Sequence, residues 1–310
     1  MSAQVELVSF SGLRHTARVW MGCSRRRASL PLLLLLLPLA ALAQQRPLTT
    51  EEALTVRPGV ALVQFGFEFL QDARFPLAGL EGDLTRVAVV DARFGVSRAA
   101  EIQIQGTIRN LLSVSEQRPA FITAVLSRGG SSTSDFGDFT LGAKFQLFPE
   151  TENRPALGLR FGFEMPNSNE RRGIGLNTTN VFVALLAQKH FGQLNLFGNV
   201  GLGILQAPAG LFTQNDVILY GLGGIYSINE HLNLVGEVAG RWSPRQALVT
   251  SALLATGSRS QARLGMQVFA GGFRWDFAGI AGLTGEDPDS GFTFGVSKSV
   301  QLWPAHPTTP

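Results

Sequence analysis

The feature that most constrains the fold is a strict alternation of apolar and polar residues. Residues 101–109 read EIQIQGTIR, and every second residue is apolar or small. Because successive side chains of a strand point to opposite faces, this stretch has one apolar and one polar face. A soluble sandwich would bury the apolar face in a core, whereas a membrane barrel would turn it to lipid and line a lumen with the polar face. The barrel alternative places Ile102, Ile104 and Ile108 towards lipid and Glu101, Gln103, Gln105 and Arg109 in the interior.

The connections between strands decide between these two folds. Beyond Gln45, no stretch longer than ten residues has a helical period. Long connections alternate with short ones such as GVSRA, FGQ and SINE, as in barrels with long external loops and short periplasmic turns. A sandwich has no reason to keep this order. We therefore predict an all-β, antiparallel, up-and-down transmembrane barrel of about 12 strands, at 59–69, 84–94, 100–110, 137–148, 156–165, 180–190, 194–205, 217–227, 232–242, 262–269, 272–282 and 291–302.

Two of these strands depart from the alternation. Residues 180–190 and 217–227 are largely apolar on both faces. Either the strands face a plug or a neighbour, or their register differs from the prediction.

The amino terminus predicts export. Three arginines precede the run LPLLLLLLPLAALA, which ends at Ala43 in a small-residue cleavage pattern. We predict a signal peptide over 1–43, with 1–20 open to being a misassigned start, then a periplasmic lead-in over 44–58. The barrel would cover 59–302, followed by a tail over 303–310. Removal of five arginines and one glutamate with the signal lowers the formal charge from +3 to −1, so no nucleic-acid surface is expected.

Charged residues on the polar faces are the candidate lumen and selectivity residues. They form either a charged constriction that selects solutes or a salt-bridge network that fills a narrow barrel. Opposite charges four residues apart on one strand are too far apart to form an ion pair, so their partners should lie on neighbouring strands. We expect no catalytic, cofactor or metal site and no enzymatic activity. The candidates are Glu101, Arg109, Lys144, Arg160, Glu164, Glu237, Arg241, Arg263, Arg274 and Asp276.

Short motifs resemble a known family. The segments FGDFTLGAKFQLF, PALGLRFGFEMP and ARFGVSRAAEIQIQG resemble the MetA-pathway of phenol degradation family, transporter-like outer-membrane barrels. The resemblance covers most of residues 85–300 and implies uptake or metabolism of aromatic compounds. One departure is the end of the chain, where SVQLW is followed by PAHPTTP and Trp303 has the wrong parity for a terminal strand aromatic.

Three functions remain open from the sequence. The first is a passive outer-membrane channel for small hydrophobic or aromatic solutes, with the loop 111–136 as a lid. The second is a closed structural or surface-binding barrel without transport, and the third is a soluble periplasmic β-protein. The partners of the first two are outer-membrane lipid and the barrel-assembly machinery, and the channel adds small solutes. The oligomeric state stays open.

Overall fold

Thirteen strands form one sheet in the described part of the chain. A computed structural model describes residues 47–127, 129–206, 214–244 and 256–303. Among these residues, no helix has the length and apolarity to cross a membrane. The strands are β1 (Val60–Phe75), β2 (Leu80–Ser97), β3 (Ala100–Gln117), β4 (Ser132–Asp135), β5 (Phe139–Phe148), β6 (Ala156–Met165), β7 (Asn180–Phe191), β8 (Leu194–Gln206), β9 (Gln214–Asn229), β10 (Leu232–Trp242), β11 (Arg259–Ala270), β12 (Phe273–Gly282) and β13 (Ser290–Gln301). One 3-10 turn lies at Glu170–Arg172.

The sheet closes on itself. Each long strand pairs antiparallel with its neighbours in the chain, and β1 pairs with β13 from Val60 opposite Gln301 to Gln71 opposite Ser290. The short strand β4 pairs only with the far end of β3. The prediction of an all-β antiparallel barrel of twelve strands is therefore confirmed, and β4 is an addition within the long loop after β3. Closure pairs both edges of the ring of twelve long strands, which a chain in lipid requires because unpaired backbone groups have no water to bind.

The connections separate the two ends of the barrel. Two residues join β7 to β8, β9 to β10 and β11 to β12, at what we call the turn end. The opposite loop end carries the longer segments 118–138 and 166–179. The first predicted loop is much shorter than expected, only 76–79, because β1, β2 and β3 continue beyond their pairing with β13 and β5 as a paired ribbon. An apolar cluster that includes Leu80, Leu112 and Ile174 packs this ribbon against the loop after β6.

Side-chain burial follows the predicted alternation. The outer face is apolar, with Leu264 77 % exposed and Leu222 67 % exposed. Ile102, Ile104 and Ile108 are also exposed, whereas Glu101 and Gln103 between them are buried in the interior. The interior faces can be polar because the charged side chains there contact one another and are kept away from lipid.

Arg109 is the exception to this placement. It pairs across the sheet with Val87, shares the outer face with that residue, and donates from Nη2 to Ser134 Oγ at 2.6 Å. The cause is Ala88, whose positive φ of 52° coincides with a register shift between β1 and β2. Beyond this irregularity, odd-numbered residues of β3 no longer point into the barrel. A simple alternation therefore places Arg109 on the wrong face.

Candidate functional site

The residues before the first strand lie inside the barrel. Residues 47–58, which we call the interior segment, are largely buried, and Leu48, Glu51 and Ala53 are at most 3 % exposed. We expected a periplasmic lead-in over 44–58, but the part of it that the structure describes runs within the ring of strands. The reason is that the polar inner faces of the strands offer donors and acceptors to this segment.

Glu51 is the centre of a buried charge network. Its carboxylate lies 2.9 Å from Arg160 Nε, 3.7 Å from Lys144 Nζ and 3.9 Å from Arg93 Nη2. Gln103 Nε2 also donates to Glu51 Oε2 at 2.9 Å. Because the three cations come from β6, β5 and β2, one carboxylate connects the interior segment to three separate strands.

The network keeps Glu51 ionised. This residue precedes the first spanning strand and is 1 % exposed. Burial alone would raise the pKa of its carboxyl, but the charges of Arg160, Arg93 and Lys144 outweigh burial and lower the pKa from 4.5 to about 2. Glu51 therefore carries its charge at neutral and mildly acidic pH.

Two further glutamates anchor the ends of the interior segment. Glu237 on β10 accepts the N–H groups of Thr49 and Thr50, each at 2.7 Å. Glu101 on β3 accepts the N–H of Val56 at 2.5 Å. Such charge-assisted hydrogen bonds are stronger than neutral ones. The backbone of the segment is thus held at both ends by side chains of the wall.

The middle of the segment also contacts β5, β7 and β8. Asn195 Nδ2 donates to Glu52 Oε1 at 2.5 Å, and Lys144 Nζ donates to Glu52 O at 3.1 Å. The N–H of Leu54 donates to Gln188 Oε1 at 3.3 Å. These side-chain contacts, and not a backbone ladder, fix the segment in the interior.

Apolar contacts explain the two strands that broke the alternation. Leu48 packs in a buried cluster with Phe197, Ile225 and Val235. Ala53 packs in another with Ala156 and Leu186. The inward apolar residues of β7 and β9 therefore face a plug, one of the alternatives that the sequence left open.

Glycines make room for the interior segment. A Cβ built at Gly221 on β9 would lie 2.6 Å from Thr50 Oγ1. A Cβ at Gly95 on β2 would collide with the carbonyl oxygens of Val56 and Arg57. The segment can thus approach the wall closely only because glycine has no Cβ at these positions.

A cavity of about 370 Å³ lies at the loop end. Arg241, near the end of β10, and Arg259, the first residue of β11, are direct cross-strand partners in its wall. Glu164 on β6 lies in the same wall and accepts a hydrogen bond from Asn180 Nδ2 at 2.7 Å. Ile174, from the loop after β6, contributes an apolar part of the lining.

The structure divides the predicted lumen residues into three groups and an outlier. Glu101, Lys144, Arg160, Glu237 and Arg263 contact the interior segment or one another, and Arg263 lies 3.7 Å from Glu237 on the neighbouring strand. Glu164 and Arg241 line the cavity. Arg274 and Asp276 form a buried pair on β12 at 2.8 Å. Arg109 lies on the outer face.

Sequence reasoning missed several members of the site. Glu51 and Glu52 have no local pattern that predicts their place, because their partners are distant in the chain. Asp91 and Arg93, which pair at 3.0 Å, lie on the inward face of a predicted strand and could have been found by parity. Arg259 lay just before the predicted start of its strand. Among the described residues, no group of three His, Cys, Asp or Glu side chains is placed to hold a metal ion.

The fold and the interior define a class of protein. A closed antiparallel barrel of twelve strands with an apolar outer face and a polar interior is the architecture of outer-membrane barrels. The chain is similar to the COG4313 outer membrane channel from Pseudomonas putida F1, with a TM-score of 0.55 and 14% identity over 80% of this chain and 98% of that one. At this identity the likeness shows the fold.

Two further solved structures are similar at lower TM-scores and carry no argument. The NanC porin matches with a TM-score of 0.45 and 8% identity over 78% of this chain and 100% of that one. The translocator domain of the autotransporter NalP from Neisseria meningitidis matches at 0.42 and 12% over 77% of this chain and 86% of that one. No family model and no curated protein matches the sequence. The resemblance to the MetA-pathway family therefore stays a prediction.

Proposed function

We propose that the chain is an outer-membrane channel for passive passage of small solutes, restricted by the interior segment. The observation that carries the proposal is the buried, charged interior within an apolar shell. Side chains such as Lys144 and Asp276 are fully buried, whereas their neighbours on the outer face are exposed and apolar. This arrangement suits a barrel whose outside meets lipid and whose inside interacts with polar species.

The orientation and partners follow from the same proposal. The predicted signal peptide would export the chain, and the barrel-assembly machinery would insert it into outer-membrane lipid. The turn end would then face the periplasm and the loop end the outside. Hydrophobic or aromatic solutes enter the proposal through the family resemblance, and a channel of this kind catalyses no reaction.

The interior segment gives the channel a restriction that can move. The inward side chains Gln64, Gln267 and Asp276 are fully buried, so the interior around them is closely packed in this conformation. Among the described residues, the backbone of the segment is joined to the backbone of the wall only at the local turn where Val60 N–H donates to Arg57 O at 3.1 Å. Displacement of the rest of the segment exchanges side-chain hydrogen bonds for hydrogen bonds with water. We infer that larger solutes pass when the segment leaves its place.

One observation favours the alternative of a closed barrel without transport. Glu51, Glu101 and Asp91 neutralise Arg93, Lys144 and Arg160 within the interior, as a purely structural filling would. The third function, a soluble periplasmic protein, is disfavoured by the exposed apolar outer face, because soluble monomers seldom expose large contiguous apolar patches.

Conductance separates the channel from the closed barrel. The refolded protein is placed in a planar lipid bilayer, and current is recorded with and without a small aromatic acid, 4-hydroxybenzoate. A channel gives discrete openings, and a solute that enters the lumen blocks them. The variant Arg160→Gln, which loses a contact with the interior segment, should open more often than wild type.

The matched control is Arg154→Gln, in the turn between β5 and β6, where the guanidinium lies over the Phe148 ring away from the interior segment. It should behave as wild type. Wild type and Arg160→Gln could both insert and show heat-modifiable gel mobility, yet conduct no current. That result would contradict the channel and support the closed barrel.

A further inference from the structure

We propose that the outer face of the barrel at the loop end binds a phosphorylated glycolipid of the outer leaflet. Arg109 and Arg172 would hold its phosphate, and a groove lined by hydroxyl groups beside them would hold its sugar. The inference goes beyond the channel, because it requires only that the barrel lies in an outer membrane.

The outer face of β1, β2 and β3 changes from apolar to polar over three successive rows of register partners. An apolar outer band ends in this way where the hydrocarbon of a bilayer meets the head groups. Arg109 belongs to the first of these rows and therefore lies at the loop-end boundary of the apolar band. In order towards the loop end, the rows are Phe67, Val87 and Arg109, then Phe69, Thr85 and Leu111, then Asp83 and Ser113.

The height of Arg109 on the barrel agrees with this boundary. Arg109 follows Ala100, the first residue of β3 at the turn end, by nine residues. At about 3.3 Å per residue, this separation is ~30 Å along the strand. A strand tilt of about 40° converts it to a height of ~23 Å, close to the ~25 Å of the apolar band of such barrels.

Arg109 is a cation at this boundary without an acidic partner. It is exposed, its Nη2 donates to Ser134 Oγ at 2.6 Å, and its guanidinium carbon lies 5.7 Å from the centre of the Phe136 ring. Among the described residues, no carboxylate oxygen lies within 4.0 Å of its guanidinium nitrogens. A guanidinium group has several N–H donors in a planar fork that matches a phosphate. The remaining donors of Arg109 are therefore suited to a lipid phosphate at the same height.

A groove of about 500 Å³ begins beside this guanidinium, because Ser134, which accepts from Arg109, is part of its lining. Arg172, in the 3-10 turn after β6, brings a second exposed guanidinium to the same groove. It too has no carboxylate oxygen within 4.0 Å in the part of the chain that the structure describes. Two cations thus lie along one groove on the outside of the barrel.

The rest of the groove favours a sugar over a simple phospholipid head group. Its lining is rich in hydroxyl groups, which donate and accept hydrogen bonds as sugar hydroxyls do. Ser127 Oγ and Ser132 Oγ already form such a bond at 2.8 Å. The residues that supply these hydroxyls are Thr85, Ser113, Ser127, Ser132, Thr133 and Ser134.

Asp83 is the carboxylate of the groove and lies away from Arg109. It pairs with Ser113, whereas Arg109 pairs with Val87, four residues further along β2. Four residues of a strand span about 13 Å, so Asp83 lies on the side of the loop end, beyond the proposed phosphate position. Its Oδ1 accepts the N–H of Asp72 at 3.4 Å.

The wall below Arg109 supplies the surface for the acyl chains. Towards the turn end, the outer face continues with exposed apolar side chains such as Ile108, Ile104 and Phe65. A glycolipid with its phosphate at Arg109 would therefore lay its chains along this wall and its sugar in the hydroxyl-lined groove.

Native mass spectrometry of the detergent-folded full-length protein tests the site. The probes are lipid A and lipid A from which both phosphates have been removed. Wild type should bind lipid A at least tenfold more tightly than the dephosphorylated form. Arg109→Gln should weaken binding of lipid A roughly tenfold to a hundredfold, as expected for loss of a hydrogen bond to a charged group.

The matched control is Arg154→Gln at the turn end. Arg154 is also an exposed arginine beside an aromatic ring, 5.3 Å from the centre of Phe148, but it lies at the opposite end of the barrel. It should bind lipid A as wild type does. Glucose 1-phosphate, which carries a sugar phosphate without acyl chains, should not displace lipid A at equal concentration.

Undiminished binding by Arg109→Gln, an equal loss in Arg154→Gln, or equal binding of the dephosphorylated lipid would overturn the inference. Displacement by glucose 1-phosphate would overturn the assignment to a lipid. If Arg109→Gln does not fold, Arg172→Gln and the comparison of the two lipids on wild type decide. A protein that binds lipid A but is silent in bilayers would retain the site and refute the channel, whereas a conducting protein that binds no lipid A would do the reverse.

Discussion

Replacement of Glu51 by glutamine should release the interior segment. Glutamine keeps the shape of the side chain but removes the carboxylate that, among the described residues, is alone in ion-pair contact with Arg160. The other described hydrogen bonds of Arg160 go to the amides of Gln103 and Gln105. Loss of one partner from a buried ion pair costs about 3–5 kcal/mol. The lowering of the Glu51 pKa from 4.5 to about 2 corresponds to about 3 kcal/mol. The lower figure applies because the Arg160 side chain is 22 % exposed and solvent screens its charge.

A cost of about 3 kcal/mol shifts the equilibrium between the seated and displaced segment roughly a hundredfold. A thiol at position 50 can report this shift. Thr50 is buried, its Oγ1 has no described partner, and cysteine is close to threonine in size. Because Cys23 is the only cysteine and precedes the predicted cleavage site, Thr50→Cys carries a single thiol in the processed chain. Its rate of reaction with a small polar maleimide should rise by up to the same factor when Glu51→Gln is added.

The control for this experiment is Glu150→Gln in the Thr50→Cys background. Glu150 lies in the turn after β5 and pairs with His190 and Lys189, away from the segment. It should leave the labelling rate unchanged. Equal rates in the Glu51→Gln and Glu150→Gln backgrounds, with both proteins folded, would refute the reasoning.

Three further predictions concern the wall, the close approach and pH. Ile104→Lys should reduce the folded, heat-modifiable fraction far more than Gln103→Lys. Lys at the lipid face costs about 2–4 kcal/mol, whereas a Lys at position 103 would lie near carboxylates, since Gln103 Nε2 is within 2.9 Å of both Glu51 and Glu101. Equal folded fractions would contradict the assignment of Ile104 to the outer face and Gln103 to the interior. Gly221→Ala should accelerate labelling of Thr50→Cys, because the added Cβ would displace the segment. Gly279→Ala should not, since its Cβ would meet nothing closer than 4.0 Å. Identical labelling rates would show that residue 50 does not approach Gly221 closely. The labelling rate of the thiolate, corrected for cysteine ionisation, should be the same at neutral pH and at about pH 5. The lowered pKa of Glu51 stabilises the seated segment fully above pH 4.5, and this effect is lost as the pH falls from there through about 2. A rise at pH 5 would indicate another titrating group.

Local alternation was enough to predict the wall of the barrel. The bounds of β6 and β10 agree with the predicted 156–165 and 232–242, since side chains of a spanning strand alternate between two distinct surroundings. The same alternation placed Lys144 and Glu237 in the interior. It failed at Arg109, because the positive φ of Ala88 changes the parity and an alanine gives no signal for that conformation.

The interior segment could not be placed from its own sequence. Thr50 and its acceptor Glu237 are 187 residues apart, and no periodicity connects such distant groups. The sequence indicates the segment only indirectly. The inner faces of β7 and β9 are apolar where Leu48 and Ala53 pack nearby, which is why a plug was among the alternatives. The cavity at the loop end depends on loops whose course no alternation predicts.

Single-channel conductance of the full chain and of a variant lacking residues 47–56 tests the central claim most directly. Both proteins are refolded, shown to be heat-modifiable and inserted into the same planar bilayers. A barrel restricted by its interior segment predicts discrete openings in both, with a larger unit conductance in the shortened chain. Equal conductance, or silence of a shortened chain that has inserted, would contradict the account.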